Sequence, residues 1–438
     1  MNILIQNGRV IDPASGFDHV ADVAVADGHI LAIAKTGEKL PANFKAEQTI
    51  DAKGCIVAPG LVDLQVRLRE PGYEHEGMLA SELMAAVAGG VTSLVCPPDT
   101  DPVLDEPGLI EMLKFRAEKL HRARVFPLGA LTRGLKGEVL TEMSDLTDAG
   151  CVGFSQAEVP LENTQVLQRA LQYAATFGYT VWLRPQEVHL GKGVAASGPL
   201  ATRLGLGGVP VAAETIALHT IFALMRSTKA RVHLCRISSA EGVELVRAAK
   251  KEGLAVSADV SINSLHLSDH DIGYFDSRAR VTPVLRQQRD RDALRAALAD
   301  GTLDALVSDH MPVDNDGKAL PFAEAESGAT GLELLLSLSI KWANDSKVGL
   351  LRALDVLTAQ PAKVLGKIEG QSDSMGQLHV GGVADIVVFD PAVEWHVTPD
   401  ALHSQGKHTP FAFDMTGMSL PARVKATLVA GHVAYQAD

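Results

Sequence analysis

The sequence lacks any hydrophobic run long enough to cross a bilayer. Its first residues, Met1-Asn-Ile-Leu-Ile-Gln-Asn-Gly, alternate like a strand and lack the basic and then apolar layout of a signal peptide. The two absences together disfavour a membrane partner and predict a cytoplasmic location.

Cysteines are few and far apart in the chain. The four residues are Cys55, Cys96, Cys151 and Cys235, and none of them forms a C-x-x-C pair. This pattern excludes a disulfide framework and a zinc knuckle, and it predicts reduced thiols that are mostly buried.

Basic charge is in deficit, because 40 lysine and arginine residues face 53 aspartate and glutamate residues, for a formal net charge of −13. An acidic surface argues against nucleic acid as a partner. Low-complexity tracts and obvious short repeats are absent as well. The 438 residues are enough for one large domain and a smaller one.

Short apolar strands alternate with helical patterns from about Leu61 onward. The strand candidates are Leu61–Leu68, Val91–Cys96, Arg124–Ala130, Val152–Phe154, Thr180–Leu183, Arg231–Cys235, Ala255–Val260 and Ala305–Ser308. The amphipathic segments between them include Glu138–Ala149, Asn163–Phe177, Ala240–Glu252 and Asp290–Asp300. Gly150, Gly178, Gly253 and Gly301 stand where helix C-caps belong. The alternation predicts an α/β fold of the (β/α)8 TIM-barrel class, although an open doubly wound sheet would alternate in the same way.

The two ends of the chain differ from its middle, because both consist of short alternating strands with turn signals. We therefore predict that residues 1–57 and 370–438 form one small β-sandwich domain, and that residues 58–369 form the barrel. The glycine-rich stretch Gly191–Gly208 follows the fifth strand candidate. It is expected to be a long loop at the face where barrel enzymes build their sites.

Several segments together resemble the dihydroorotases of the amidohydrolase superfamily over essentially the whole chain. They are Ala58–Glu74, Ala88-Gly-Gly-Val-Thr-Ser, Leu135-Lys-Gly, Asp309-His310, Pro321-Phe322, Gly331-Leu332-Glu333 and Thr409-Pro410-Phe411. The resemblance implies a barrel of the amidohydrolase type. In that family the barrel binds one or two zinc ions and interconverts carbamoyl aspartate and dihydroorotate.

The metal-ligand positions of this family carry other residues in the present chain. Gln65 and Arg67 stand at the His-x-His pair, Gln156 at the bridging carboxylate, and Arg184 and Arg236 at the histidines that end strands five and six. Only the aspartate of strand eight is kept, as Asp309. A guanidinium has no acceptor lone pair and stays protonated, so an arginine is no metal ligand. The sequence thus predicts no metal cofactor and no catalytic residue, with Asp309 a vestige.

The positions that contact substrate in the family are mixed. Arg69 matches the family's carboxylate-binding arginine, but Asp99, Thr282 and Val313 replace an asparagine, an asparagine and a histidine. The predicted substrate-like pocket therefore places an acidic group, Asp99, where an acidic substrate would bind.

Three arginines at the ligand positions, Arg67, Arg184 and Arg236, are expected to crowd the mouth of the barrel. Two like charges ~4 Å apart repel by roughly 4 kcal/mol at an effective dielectric of about 20, so counter-ions are required. The candidate counter-ions are Asp99, Asp309 and Glu187, which follows strand five. A salt-bridged plug that fills the old metal cavity is the favoured interpretation, and a pocket for an anionic metabolite is the alternative.

Other potential ligands give no alternative metal site. Glu158 supplies a carboxylate but has no imidazoles beside it, while His233 and His310 are expected to face away from Arg236 and Asp309. His266 is predicted to lie in a surface loop. All three histidines are interpreted as structural or solvated.

The resemblance narrows to the inactive dihydroorotase-like proteins that some bacteria use as companion subunits of aspartate transcarbamoylase. It implies a structural role in pyrimidine biosynthesis, with the transcarbamoylase catalytic chain as partner. The expected assembly is a homo-dimer of this chain or a higher hetero-oligomer. Two alternatives stay open: an active cyclic amidohydrolase with an atypical metal site, and a metal-free subunit that senses an anion.

Overall fold

Parallel strands form a barrel in the middle of the chain. The computed structural model describes residues 1–368, 374–412 and 417–437. The strands of the barrel are β6 (Leu61–Asp63), β7 (Val91–Cys96), β8 (Arg124–Pro127), β9 (Gly129–Ala130), β10 (Phe154–Ser155), β11 (Thr180–Leu183), β14 (Arg231–Leu234), β15 (Val256–Ser261) and β16 (Ala305–Val307). Each strand candidate of the sequence contains or overlaps one of them, so the predicted α/β barrel is confirmed.

The barrel closes through backbone contacts between its first and last strands. β6, β7 and β8 form one parallel run, and β9 to β11 with β14 to β16 form another. β8 and β9 are separated only by Leu128, whose backbone N–H donates to the carbonyl of Cys96. At the other seam Val66 forms a parallel bridge with His310, and the backbone N–H of Arg67 donates to the carbonyl of His310 at 2.9 Å.

Helices surround the barrel, and α7 has a capping residue at each end. They are α1 (Leu79–Ala88), α2 (Pro107–Glu118), α3 (Met143–Asp148), α4 (Thr164–Phe177), α5 (Pro199–Leu204), α6 (Ala212–Thr228), α7 (Ala240–Glu252), α8 (Ile262–His266), α9 (Gln288–Asp300), α10 (Asn315–Ala319), α11 (Leu335–Ser346), α12 (Leu350–Asp355) and α13 (Ala359–Leu365). The Ser239 hydroxyl caps α7 by accepting from the backbone N–H of Gly242 at 3.0 Å. Gly253 ends the same helix with a φ of 89°, as its predicted C-cap role requires.

Both ends of the chain join one sheet of eight strands. Its members are β1 (Ile3–Asp12), β2 (Phe17–Ala26), β3 (His29–Lys35), β4 (Gln48–Asp51), β5 (Ile56–Pro59), β17 (Ile386–His396), β18 (Ser419–Val429) and β19 (His432–Gln436). β5 lies between β1 and β17 and so links the two termini. Hydrogen bonds connect all eight strands into one sheet. The predicted β-sandwich arrangement of this domain stays a prediction.

The predicted domain boundaries are only partly visible. The boundary at residue 57 falls inside β5, so the terminal sheet extends to Pro59. The boundary between residues 369 and 370 lies outside the described residues. Residues 379–382 form no strand, although the backbone of this stretch bonds to that of Ile30.

Two further features bear on the sequence predictions. All four cysteines are unpaired and buried. Across residues 1–368, 374–412 and 417–437, no helix is long and apolar enough to cross a membrane. The segment Gly191–Gly208, expected to be a loop, contains α5 and two short paired strands, β12 (Ala195–Ala196) and β13 (Gly208–Val209).

Candidate functional site

The residues at the family's metal-ligand positions lie at the carboxyl ends of the barrel strands. Gln65 and Arg67 follow β6, while Gln156, Arg184, Arg236 and Asp309 follow β10, β11, β14 and β16. The carboxyl ends of parallel strands meet at one face, which is where barrel proteins build their sites. Ion pairs join the three arginines and Asp309 into one cluster there, as described next.

Glu158 is the centre of this cluster. Its Oε1 accepts from Nη2 of Arg67 at 2.9 Å and also from Nη2 of Arg236, and its Oε2 lies 2.5 Å from Nε of Arg184. Burial alone would raise the pKa of the Glu158 carboxyl, but Arg236, Arg184 and Arg67 outweigh it and hold that pKa far below its usual range. Glu158 is therefore ionised at neutral pH.

Two more carboxylates complete the charge balance. Asp99 accepts from Nε of Arg67 at 2.9 Å, and Asp309 accepts from Nη1 of Arg236 at 2.8 Å. The ion-pair cluster consists of Arg67, Arg184, Arg236, Glu158, Asp99 and Asp309. It contains three positive and three negative groups, so it carries no net charge.

Backbone conformation aims several of these side chains. Arg236, Asp309 and Ala157 are non-glycine residues with φ values of 57°, 51° and 50°. Such left-handed conformations are uncommon and each costs energy, so the surrounding structure must hold them in place. Ala157 directly precedes Glu158, and its left-handed turn directs the chain after β10 so that the carboxylate reaches the arginines.

The two glutamines are uncharged and take no part in these ion pairs. Gln156 is buried, and its side-chain amide accepts from Thr132 Oγ1 at 3.0 Å and donates to the carbonyl of Leu135 at 2.7 Å. Gln65 is buried as well, and its backbone N–H donates to Asp63 at 3.2 Å. Gln156 is thus occupied by hydrogen bonds to the segment that follows β9.

Asp309 differs from its sequence-based description in one respect. It is ion-paired with Arg236 as expected, but its burial raises the pKa of the carboxyl above its usual value despite that arginine. Its Oδ1 accepts from Nη1 of Arg236 at 2.8 Å, so this oxygen is held by a guanidinium within the chain. Its geometry is that of a structural ion pair.

The substrate-like positions are also engaged within the chain. Nε of Arg69 lies 2.7 Å from Glu76 Oε2 and donates to the carbonyl of Pro312 at 2.9 Å. Asp99 is held by Arg67, and the Thr282 hydroxyl shares a hydrogen bond of 2.7 Å with Ser327. Val313 is fully buried.

Two expectations about single residues were wrong. Glu187 is not a counter-ion of the arginines, because its exposed carboxylate accepts from the backbone N–H groups of His189 and Leu190 at 3.0 and 2.7 Å. His266 does not lie in a surface loop but ends α8, where its Nε2 contacts the carbonyl of Leu338 at 3.0 Å. Burial lowers the pKa of His266 to about 3, so it is neutral.

The other two histidines are buried and structural. His310 contacts Glu82 through Nε2 at 2.8 Å, and its Nδ1 lies 3.1 Å from the backbone N of Gly331. His233 contacts Ser257 and Asp259, each at 2.8 Å. Neither ring contacts the ion-pair cluster directly.

The donor set at the mouth of the barrel does not fit a zinc ion. Arginine side chains occupy three of the family's ligand positions, and the remaining carboxylates already accept from those guanidiniums. In the part of the chain described, one other set of potential ligands converges: His233, Cys235 and Asp259, whose ligand atoms lie within 4.8 Å of one another. Burial raises the pKa of the Cys235 thiol well above its usual value, which disfavours the thiolate that a metal needs.

Comparisons with known proteins agree with this architecture. A profile of dihydro-orotase-like proteins matches residues 54–242, and a profile of the amidohydrolase family matches residues 210–434. The chain is 43% identical over 437 residues to a dihydroorotase-like protein of Pseudomonas aeruginosa, with 100% of both chains covered. It is 40% identical over 438 residues to a dihydroorotase of a Geobacter species, again with 100% of both covered.

Solved structures of related enzymes share the fold. An L-hydantoinase (dihydropyrimidinase) from Arthrobacter aurescens superposes with a TM-score of 0.85 at 25% identity, covering 98% of this chain and 95% of the other. A dihydropyrimidinase from Brevibacillus agri gives a TM-score of 0.82 at 22% identity, covering 99% and 95%, and this second likeness concerns the fold alone.

Proposed function

The chain belongs to the dihydroorotase-like family of amidohydrolases, and from that membership we propose that it is a non-catalytic member with a structural role. The proposed role is that of a subunit of an aspartate transcarbamoylase complex in pyrimidine biosynthesis. The partner is the transcarbamoylase catalytic chain, and the assembly is a homo-dimer or a higher hetero-oligomer in the cytoplasm. The family resemblance supplies the partner, and the geometry of the site supports the loss of catalysis.

The single observation that carries the proposal is the contact of Glu158 with three arginines at the ligand positions. Hydrolysis of a cyclic amide by this family needs a metal-bound hydroxide and a base close to it. Arg67, Arg184 and Arg236 do not deprotonate, and their guanidiniums carry a charge of the same sign as a zinc ion. The remaining acid that a mechanism would use, Asp309, is bound to Arg236.

A barrel kept for its shape also explains why the cluster is electrically balanced. Burying a charge is costly unless it is paired, and the side chains of Arg67 and Arg236 are almost fully buried. The three carboxylates satisfy that requirement within the chain, without a cofactor. The mouth of the barrel is therefore a fixed structural element.

A second candidate is an active cyclic amidohydrolase with an atypical metal site. The convergence of His233, Cys235 and Asp259 favours it, as do relatives that bear the name dihydroorotase. Against it stand the hydrogen bonds that already occupy both ring nitrogens of His233. A metal-free subunit that senses an anion is a third candidate. Arg280 favours it, because its Nε is buried without a hydrogen-bond partner among the described residues.

Co-assembly with the aspartate transcarbamoylase catalytic chain tests the proposal. The two purified proteins are mixed, and the mass of the product is measured by size-exclusion chromatography with light scattering. We expect one hetero-oligomer whose mass exceeds that of either component. The Geobacter relative, mixed with the same catalytic chain, serves as a matched comparison. A catalytic chain that is active at its normal size and never associates with this protein would contradict the structural role.

A further inference from the structure

A cavity of about 330 Å³ adjoins the ion-pair cluster on the side of β14 and the segment before α9. Four arginines and two glutamates contribute to its lining: Arg184, Arg236, Arg280, Arg286, Glu158 and Glu214. Arg184, Arg236 and Glu158 belong to the neutral cluster already described. Arg280, Arg286 and Glu214 are therefore the charged groups that the cluster does not balance, and they add one net positive charge to the cavity.

Arg280 is a cation without an anion. Its guanidinium forms no hydrogen bond or ion pair with any residue in the described ranges, and its Nε is buried without a partner. Its backbone, by contrast, is fixed, because its carbonyl accepts from Nζ of Lys318 and from the backbone N–H of Gly328, each at 3.0 Å. Burial lowers the pKa of Arg280, and no neighbouring carboxylate opposes this. The backbone of Arg280 is thus anchored, while its guanidinium is left to pair with a ligand.

Arg286 is paired only with neutral acceptors. Its Nε donates to the Ser238 hydroxyl at 3.2 Å and its Nη1 donates to the carbonyl of Val209 at 2.7 Å. Glu214 offsets this charge only through the intervening Ser238 hydroxyl, because both Glu214 oxygens accept from the backbone N–H and hydroxyl groups of Ser238 and Ser239, at 2.5 to 3.1 Å. The excess positive charge of the cavity is thus not cancelled by an ion pair.

The remaining wall offers one more donor and an apolar surface. Thr282 and Ser327 share a single hydrogen bond between their hydroxyls at 2.7 Å, so one of the two hydroxyl hydrogens is left for a ligand. Val209, Ala213 and Val284 form the apolar side. A volume of about 330 Å³ corresponds to roughly ten waters at about 30 Å³ each, which is the size of a small metabolite.

We propose that this cavity binds a small organic or inorganic anion, a carboxylate or a phosphate, with Arg280 as its principal contact. The planar fork of an arginine matches both groups in a bidentate manner. The cavity shares Thr282 with the predicted substrate-like pocket, but Arg69, the carboxylate-binding residue of that pocket, does not line the cavity and is bound to Glu76. The inference goes beyond the structural role and does not depend on it, since a scaffold with or without a bound anion assembles in the same way.

Calorimetric titration of the purified protein with inorganic phosphate and with malonate tests the proposal, and the two arms distinguish a phosphate ligand from a carboxylate one. We expect saturable binding of at least one anion, weakened about tenfold or more by Arg280→Gln, because a charge-assisted hydrogen-bonded pair is lost. Arg226→Gln is the matched control. It removes the same charge from an exposed arginine that pairs with Glu252 outside the cavity, and it should leave binding unchanged.

Two results would overturn the proposal: absence of saturable binding of either anion to the wild-type protein, or equal binding by the wild type and Arg280→Gln. Arg280→Lys provides the second variant in case the glutamine does not fold. Since lysine keeps the charge and loses the fork, this variant should bind the anion more weakly than the wild type does. Equal affinities for Arg280→Lys and the wild type would also contradict a bidentate contact.

Discussion

Replacing Glu158 with glutamine tests the balance of charges at the barrel mouth. Glu158→Gln keeps the volume of the side chain but removes the one negative charge that contacts Arg67, Arg184 and Arg236. Three arginines would then face only Asp99 and Asp309. Breaking a buried ion pair by removing one partner costs about 3–5 kcal/mol. We take about 3 kcal/mol, the lower end, because 23% of the Glu158 side chain is exposed and solvent screens part of the effect.

This cost predicts a clear fall in thermal stability. With the entropy of unfolding scaled to a barrel of this size, about 3 kcal/mol corresponds to a decrease in Tm of about 5 °C. Differential scanning calorimetry measures it. Glu162→Gln is the matched control, because Glu162 is exposed in the same loop and contacts only His189, so its Tm should stay within about 1 °C of the wild type.

The pH dependence gives the same prediction an independent sign. The pKa of Glu158 in the folded protein lies far below its ordinary value of 4.5. Its contribution to stability is therefore fully present above pH 4.5 and is lost only as the pH falls towards the folded-state pKa. The difference in Tm between the wild type and Glu158→Gln should stay constant from neutral pH down to about pH 4.5 and shrink at lower pH. A Glu158→Gln protein that melts at the wild-type temperature at neutral pH would refute the reasoning.

Three further predictions concern other parts of the barrel. Burial raises the pKa of Asp63 to about 7, so the stability that this carboxyl contributes is present at acid pH and is lost as the pH rises through that value. Asp63→Asn should therefore raise Tm relative to the wild type more at pH 8 than at pH 5, as thermal melts at the two pH values will show. Glu82 accepts from Ser404 at 2.6 Å and contacts His310 at 2.8 Å, both fully buried, so Glu82→Ala should cost about 3 kcal/mol in denaturant unfolding, and a wild-type midpoint would contradict this. If the barrel mouth is held by ion pairs and not by a metal, as we propose, EDTA should leave Tm unchanged, and a fall in Tm that zinc reverses would favour the His233 group as a metal site.

The fold was predictable from the sequence because hydrophobic periodicity marks each element by itself. Every strand of the barrel overlaps a predicted segment, and α7 coincides with its predicted bounds. β6 ends at Asp63, earlier than the predicted Leu68, because the chain leaves the sheet at the residues that build the barrel mouth, whereas β10 begins and ends later than the predicted Val152–Phe154. The terminal sheet was predicted as one domain, but the pairing that joins its two ends, that of β5 with β17, depends on contacts between residues more than 300 positions apart.

The site was predictable as a set of positions but not as a set of contacts. The resemblance supplied Arg67, Arg184, Arg236 and Asp309, whereas the central role of Glu158 was missed and Glu187 was expected in its place. Both acids follow a barrel strand, so periodicity alone does not separate them. The difference lies in the left-handed backbone at Ala157. An alanine does not predict this conformation, because only glycine adopts it freely. A search for the nearest acid after each strand end would have offered Glu158 as a candidate.

The most direct test of the non-catalytic proposal is the zinc content of the protein purified without chelators, measured together with turnover of dihydroorotate by the same sample. The ion-pair cluster around Glu158 predicts far less than one zinc ion per chain and no turnover, with or without added zinc. About one to two zinc ions per chain, accompanied by conversion of dihydroorotate to carbamoyl aspartate, would contradict it.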